Sequence, residues 1–158
     1  MKKTLKIIIT ILIICTIILS LIQIFEFEKT NIVYAASSNS ESDIQLMARA
    51  INGEARGESY EGQVAVGAVI LNRVKSPDFP NTISGVIYQP GAFTAVSDGQ
   101  INQPIAQDST VYKAARDAMN GWDPTNGCIY YFNPNTATSK WIWSKTIVKT
   151  IGKHHFCK

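Results

Sequence analysis

Three acidic side chains, Glu54, Glu58 and Glu61, fall within one short stretch of the chain. Carboxyls gathered in this way suit general acid–base work. Cleavage of a glycosidic bond uses such a group to protonate the leaving oxygen. Other reactive types are sparse. His154 and His155 are adjacent, and adjacent residues of an extended segment point to opposite faces, so the pair does not readily ligate one ion. No H-x-x-x-H or C-x-x-C spacing accompanies them, and neither a metal nor another cofactor is expected. Cys128 and Cys157 form an even pair beyond the N-terminal segment. They read either as a disulfide, worth roughly 3–4 kcal/mol in the chain-entropy model, or as two free thiols. Trp141 and Trp143 lie two apart; on a strand they share one face, which stacks on sugar rings or joins a core. Phe93 and Thr94 follow Gln89-Pro90-Gly91 in a loop of the kind that lines clefts. No Gly-rich phosphate loop and no Ser–His–Asp set is present.

Glu54 separates from the other acids when its helix is drawn at about 100° per residue. With Ile51 as origin, Ile44, Met47, Ala48 and Ala55 fall within about 60° of it, and Glu54 lies on the edge of that apolar face. Arg49 and Arg56 fall on the opposite face. Glu54 also sits in the last turn, so the negative helix pole and partial burial both disfavour its charged form, as a general acid requires. Glu58 and Glu61 also suit a solvated corner or the first turn of the next helix.

The elements that must position these groups follow from spacing. Ser42 caps a helix through Ile44, Met47, Ile51 and Ala55, which Gly57 ends. A second helix starts near Ser59, runs to about Val74 and stops before Pro77. A short helix is predicted near Thr82–Tyr88, and a longer one from Asp108-Ser109 through Met119. Residues 90–104 read as a small hairpin or irregular lobe. Cys128–Phe132, Trp141–Trp143 and Thr146–Ile151 read as strands. The predicted class is α+β, a helical core with a small β lobe.

The chain has 158 residues, with 15 Lys+Arg and 12 Asp+Glu. Lys2, Lys3, Lys6 and Lys29 against Glu26 and Glu28 put much of that excess in the first 35 residues. Residues 36–158 keep 11 basic and 10 acidic side chains, so a nucleic-acid partner is not expected. Lys2, Lys3 and Lys6 precede the apolar run Ile7–Ile22, and Val33-Tyr34-Ala35 offers small residues for cleavage. Residues 1–35 therefore read as an export signal, or alternatively an N-terminal anchor, making transient membrane contact. Residues 36–42 read as a polar linker and 43–158 as one exported domain outside the membrane, expected to be a monomer.

The run Ala48-Arg49-Ala50-Ile51-Asn52-Gly53-Glu54-Ala55-Arg56-Gly57-Glu58 resembles the signature of the SleB/CwlJ family of bacterial cell-wall hydrolases, the spore cortex-lytic type. The likeness continues through Gly62–Val66, Val69–Val74, Val86–Thr94, Asp98-Gly99, Tyr131–Pro134, Trp141 and Ile151–His154. It implies a lysozyme-like α+β domain acting on peptidoglycan, with Glu54 as the catalytic acid. Enzymes similar to this one act as lytic transglycosylases between N-acetylmuramic acid and N-acetylglucosamine, leaving a 1,6-anhydro end. Glu58, Phe93, Thr94, Trp141 and His154 are the expected substrate contacts. A hydrolytic muramidase or glucosaminidase, or a catalytically silent wall-binding protein on the same scaffold, is the alternative. No separate peptidoglycan-binding domain is expected between leader and catalytic part. Spore cortex and vegetative wall are equal expectations.

Overall fold

The computed structural model describes residues 2–158; the side chains of residues 4–8, 10–12 and 31–39 lie outside the description. The chain divides into two units, Met1–Ser40 and Glu41–Lys158. Helix α1, Lys2–Ala55, runs through both. It takes in residues 36–42 and places Ser42 inside the helix rather than at its cap. The reason is compositional: neither glycine nor proline precedes Gly53 to interrupt the helix. The expected cleavage residues Val33-Tyr34-Ala35 and the start of the apolar run have side chains outside the description. Among the described residues no helix is long and apolar enough to cross a membrane.

The second unit is built around helix α2, Tyr60–Lys75. Ser59 caps it, its Oγ accepting from Gly62 N at 3.2 Å. Residues 62–70 are buried without interruption, and a helix apolar on every side belongs at the centre of a domain. Gly67 allows this: a Cβ there would lie 3.0 Å from Ala118 Cβ and 3.2 Å from Ile51 Cδ1. Backbone of α2 thus packs closely on both α1 and the later helix that carries Ala118. Pro77 follows the end of α2 as expected.

Helix α3, Ile83–Ile87, is capped by Thr82, which accepts from Gly85 N at 3.0 Å. Residues 90–104 form no hairpin. They make helix α4, Thr94–Ser97, and a 3-10 turn, Gln100–Asn102, joined through Gly99 at φ 80°. Asp98 accepts from Gln100 N at 3.0 Å and from Gln100 Nε2 at 2.8 Å, which closes a helical turn in place of a strand pairing. Helix α5, Thr110–Met119, packs on α2, where Tyr60 Oη donates to Asp117 Oδ2 at 2.5 Å. Burial and that carboxylate push the Tyr60 phenol up to about 12.

Three antiparallel strands complete the domain: β1, Tyr130–Phe132; β2, Ile147–Ile151; and β3, His154–Cys157, in the order β1-β3-β2. Tyr131 pairs with Phe156 and Ile151 with His154. Phe156, Ile151 and Cys128 pack against Ala65 and Val69 of α2. The strand expected at Trp141–Trp143 is a 3-10 turn, Ile142–Ser144. Ser144 accounts for this, donating from both N and Oγ to Trp141 O at 3.1 and 2.8 Å. Ile142 turns inward, and Trp141 and Trp143 stay exposed. Cys128 and Cys157 are buried free thiols, so the possible disulfide is not formed. The Cys128 thiol instead donates to Thr125 O at 3.1 Å.

Candidate active site

Glu54 ends α1 with its carboxylate half-buried and held from two elements. Oε1 accepts from Ala95 N, in α4, at 2.9 Å, and Oε2 accepts from Tyr131 Oη, on β1, at 3.2 Å. Close approach of α4 depends on Gly53, where any Cβ would overlap Ala95 Cβ. Burial, then the charge of Glu54, push the Tyr131 phenol well above its ordinary value, with Arg73 opposing. Tyr131 therefore keeps its proton and acts as a donor.

Glu54 opens onto a cavity of about 460 Å³, lined also by Thr94, Asp98, Tyr131, Asn133 and His154. A second cavity, about 320 Å³, is lined by Gln89, Tyr130 and Trp141. Arg73, Ala92 and Tyr131 line both, so the two cavities lie side by side. Adjoining cavities with Glu54 in one of them suit a chain-like substrate better than a small molecule.

The expected contacts divide. Thr94 and His154 line the first cavity, and Trp141 lines the second. His154 begins β3, stands edge-on to Tyr131 at 5.3 Å, and has a buried Nδ1 without a partner. Burial lowers its pKa, against the pull of Glu58 and Glu54. His155 points to the other face of the sheet, onto Phe132 at 5.3 Å. Phe93 is core, only 3% exposed, and supports Arg73 from 5.4 Å. Glu58 is not among the cavity residues. Its Oε2 accepts from Lys153 N at 2.9 Å in the β2–β3 turn, against Gly152, where a Cβ would overlap that oxygen. Among the described residues no three His, Cys, Asp or Glu side chains gather as a metal site.

Tyr131, Arg73 and Asp98 were not singled out by spacing. Tyr131 sits in an apolar strand, and Arg73 is a buried cation in the partly exposed last turn of α2, after the buried stretch 62–70, where spacing reads as an ordinary helix-end charge.

These cavities, with their single held glutamate at a helix end, belong to an enzyme-like class of site. Residues 57–157 match the family model described as Cell Wall Hydrolase. The spore cortex-lytic enzyme of Bacillus cereus is 65% identical over 119 residues, covering 75% of this chain and 45% of the relative. Cell wall hydrolase CwlJ of Bacillus subtilis is 36% identical over 122 residues, covering 73% of this chain and 84% of the relative. The crystal structure of the catalytic domain of the Bacillus cereus SleB protein is similar at TM-score 0.70 and 64% identity, covering 75% of this chain and 91% of that one. The catalytic domain of the germination-specific lytic transglycosylase SleB from Bacillus anthracis is similar at TM-score 0.70 and 65% identity, covering 73% and 93%. The chain belongs to the cell wall hydrolase family. Its fold is the lysozyme-like α+β arrangement, and it spans less than half the length of the spore cortex-lytic enzymes it matches.

Proposed function

We propose that this chain cleaves peptidoglycan glycan strands as a lytic transglycosylase, between N-acetylmuramic acid and N-acetylglucosamine, with Glu54 as the catalytic residue. The observation that carries this reading is the half-buried Glu54 carboxyl, fixed by Ala95 N and Tyr131 Oη and facing the first cavity. Glu54 donates its proton to the glycosidic oxygen as the C1–O bond breaks toward an oxocarbenium-like state. The carboxylate so formed takes the proton of the muramoyl C6 hydroxyl while that oxygen bonds to C1, closing the 1,6-anhydro ring. One carboxyl performs both transfers, and no water is consumed.

Thr94 and His154 contact the sugar beside Glu54, and Trp141 stacks on a sugar in the second cavity. Glu58 serves by fixing the β2–β3 turn that carries His154. Residues 1–35 act as an export signal, 36–42 join it to the domain, and 43–158 are the catalytic domain, working as a monomer at the wall or spore cortex. The Cys128–Cys157 bridge is a state the exported protein can reach by oxidation. A second reading has one specific support: Asp98 lines the same cavity as Glu54, as a second carboxylate would in a hydrolytic glycosidase. Mass spectrometry of digests of purified peptidoglycan decides between them. Anhydro-muramoyl ends are the expected result; reducing ends establish hydrolysis, and no released fragment establishes wall binding without turnover.

A further inference from the structure

Arg73 is 7% exposed, yet among the described residues no carboxylate ion-pairs with it, Glu54 acting on it only from beyond bonding distance. The ion pairs among the described residues are Arg116–Glu41 and Lys149–Glu61, both at the surface. Arg73 Nε donates to Ile129 O at 2.7 Å; among the described residues Nη1 and Nη2 have no hydrogen-bond partner. Phe79 at 5.3 Å, Phe93 at 5.4 Å and Tyr130 at 5.9 Å pack around the guanidinium and fix its plane. It lines both cavities and, among the described residues, is the only Lys or Arg that lines either. Removing a cation from water without a partner costs several kcal/mol, so such a group is retained where something supplies acceptors. A planar fork with two open nitrogens matches a carboxylate or acyl group.

Along a peptidoglycan strand both sugars carry neutral N-acetyl groups. The D-lactyl arm, with its carboxyl or the amide made from it, distinguishes the muramoyl sugar. Asp98 repels an anionic group on its side of the first cavity, which leaves Arg73 as the place for it. We propose that Arg73 binds the acyl oxygens of the muramoyl lactyl arm and thereby sets the register that brings the muramoyl glycosidic bond to Glu54. This rests on the reading of the chain as a glycan-cleaving enzyme and names the group by which that site selects its bond.

The test crosses an enzyme change with a substrate change. The full chain and its Arg73→Gln and Arg73→Lys variants are each given peptide-free glycan strands, either intact or with the lactyl carboxyls reduced to alcohols. For the unaltered chain, kcat/KM should fall on the order of 100-fold on reduced strands, the loss of a charge-assisted contact. Arg73→Gln should lose a similar factor on intact strands and little more on reduced ones, since both changes remove one interaction. Its products should end in both sugars, where those of the unaltered chain end in muramoyl residues alone. Arg73→Lys, which keeps the charge without the fork, should fall between. Equal rates of the unaltered chain on both strands overturn the proposal without recourse to any variant. So does a folded Arg73→Gln that still distinguishes the two strands. No cleavage of intact strands by the unaltered chain overturns the enzymatic reading itself.

Discussion

In the proposed reaction Glu54 works only while its carboxyl is aimed, and Tyr131 does part of the aiming. Replacing Tyr131 by Phe removes the 3.2 Å donor but keeps the ring against His154 and Phe156. Expected is a roughly tenfold fall in kcat, about 1.4 kcal/mol, with KM nearly unchanged, read by steady-state kinetics on soluble glycan. An equal fall in kcat/KM carried by KM alone contradicts the positioning role. His154 gives a pH prediction. Burial depresses its pKa below the ordinary 6.5 in the folded state. The unfolded chain therefore binds more protons between pH 6.5 and the lower folded value. Stability from this residue is complete above pH 6.5 and is lost as pH falls through that window. Denaturant unfolding at several pH values should show a smaller loss in His154→Gln than in the unaltered chain; parallel curves contradict it.

At the level of elements, the site exists because α1 and α4 touch. Gly53→Ala places a methyl against Ala95, displacing the α4 backbone that donates to Glu54. Overpacking of this kind costs about 1–3 kcal/mol. Activity should fall further than stability, as measured by glycan turnover beside thermal unfolding; unchanged turnover contradicts the account. Helical parts of this arrangement were legible because their signals are local. Helix starts near Ser59 and Thr82 were expected, Pro77 marked a stop, and the spacing around Ile51 placed Glu54 at the edge of the apolar face. The 90–104 lobe was not legible, because its helical turns depend on Asp98 bonding Gln100, a choice that apolar alternation does not reveal. Trp141 and Trp143 misled for a related reason: alternation resembles a strand, but Ser144 closes a 3-10 turn. Glu58 was expected as a substrate contact, and only the distant Gly152–Lys153 turn explains its carboxylate.

Across the whole molecule, the first unit is a helix whose described side chains, Ile13 through Phe27, include large apolar groups exposed to solvent. Such a surface is unfavourable in water, which supports the export reading of residues 1–35. On the proposed export reading, protein from culture medium should have the mass of residues 36–158; full-length mass in the membrane fraction instead establishes an anchor. The proposed reaction depends on one proton being delivered and recovered by a single group. Glu54→Gln keeps the shape, and its one carbonyl oxygen still accepts from Ala95 N or Tyr131 Oη, but it cannot give that proton. Digestion of purified peptidoglycan, followed by mass spectrometry, tests this most directly. Anhydro-muropeptides should appear with the unaltered chain and fall by at least about 100-fold with a Glu54→Gln protein that unfolds at the same temperature. Equal yields from the two proteins would contradict the assignment of Glu54 and the mechanism built on it.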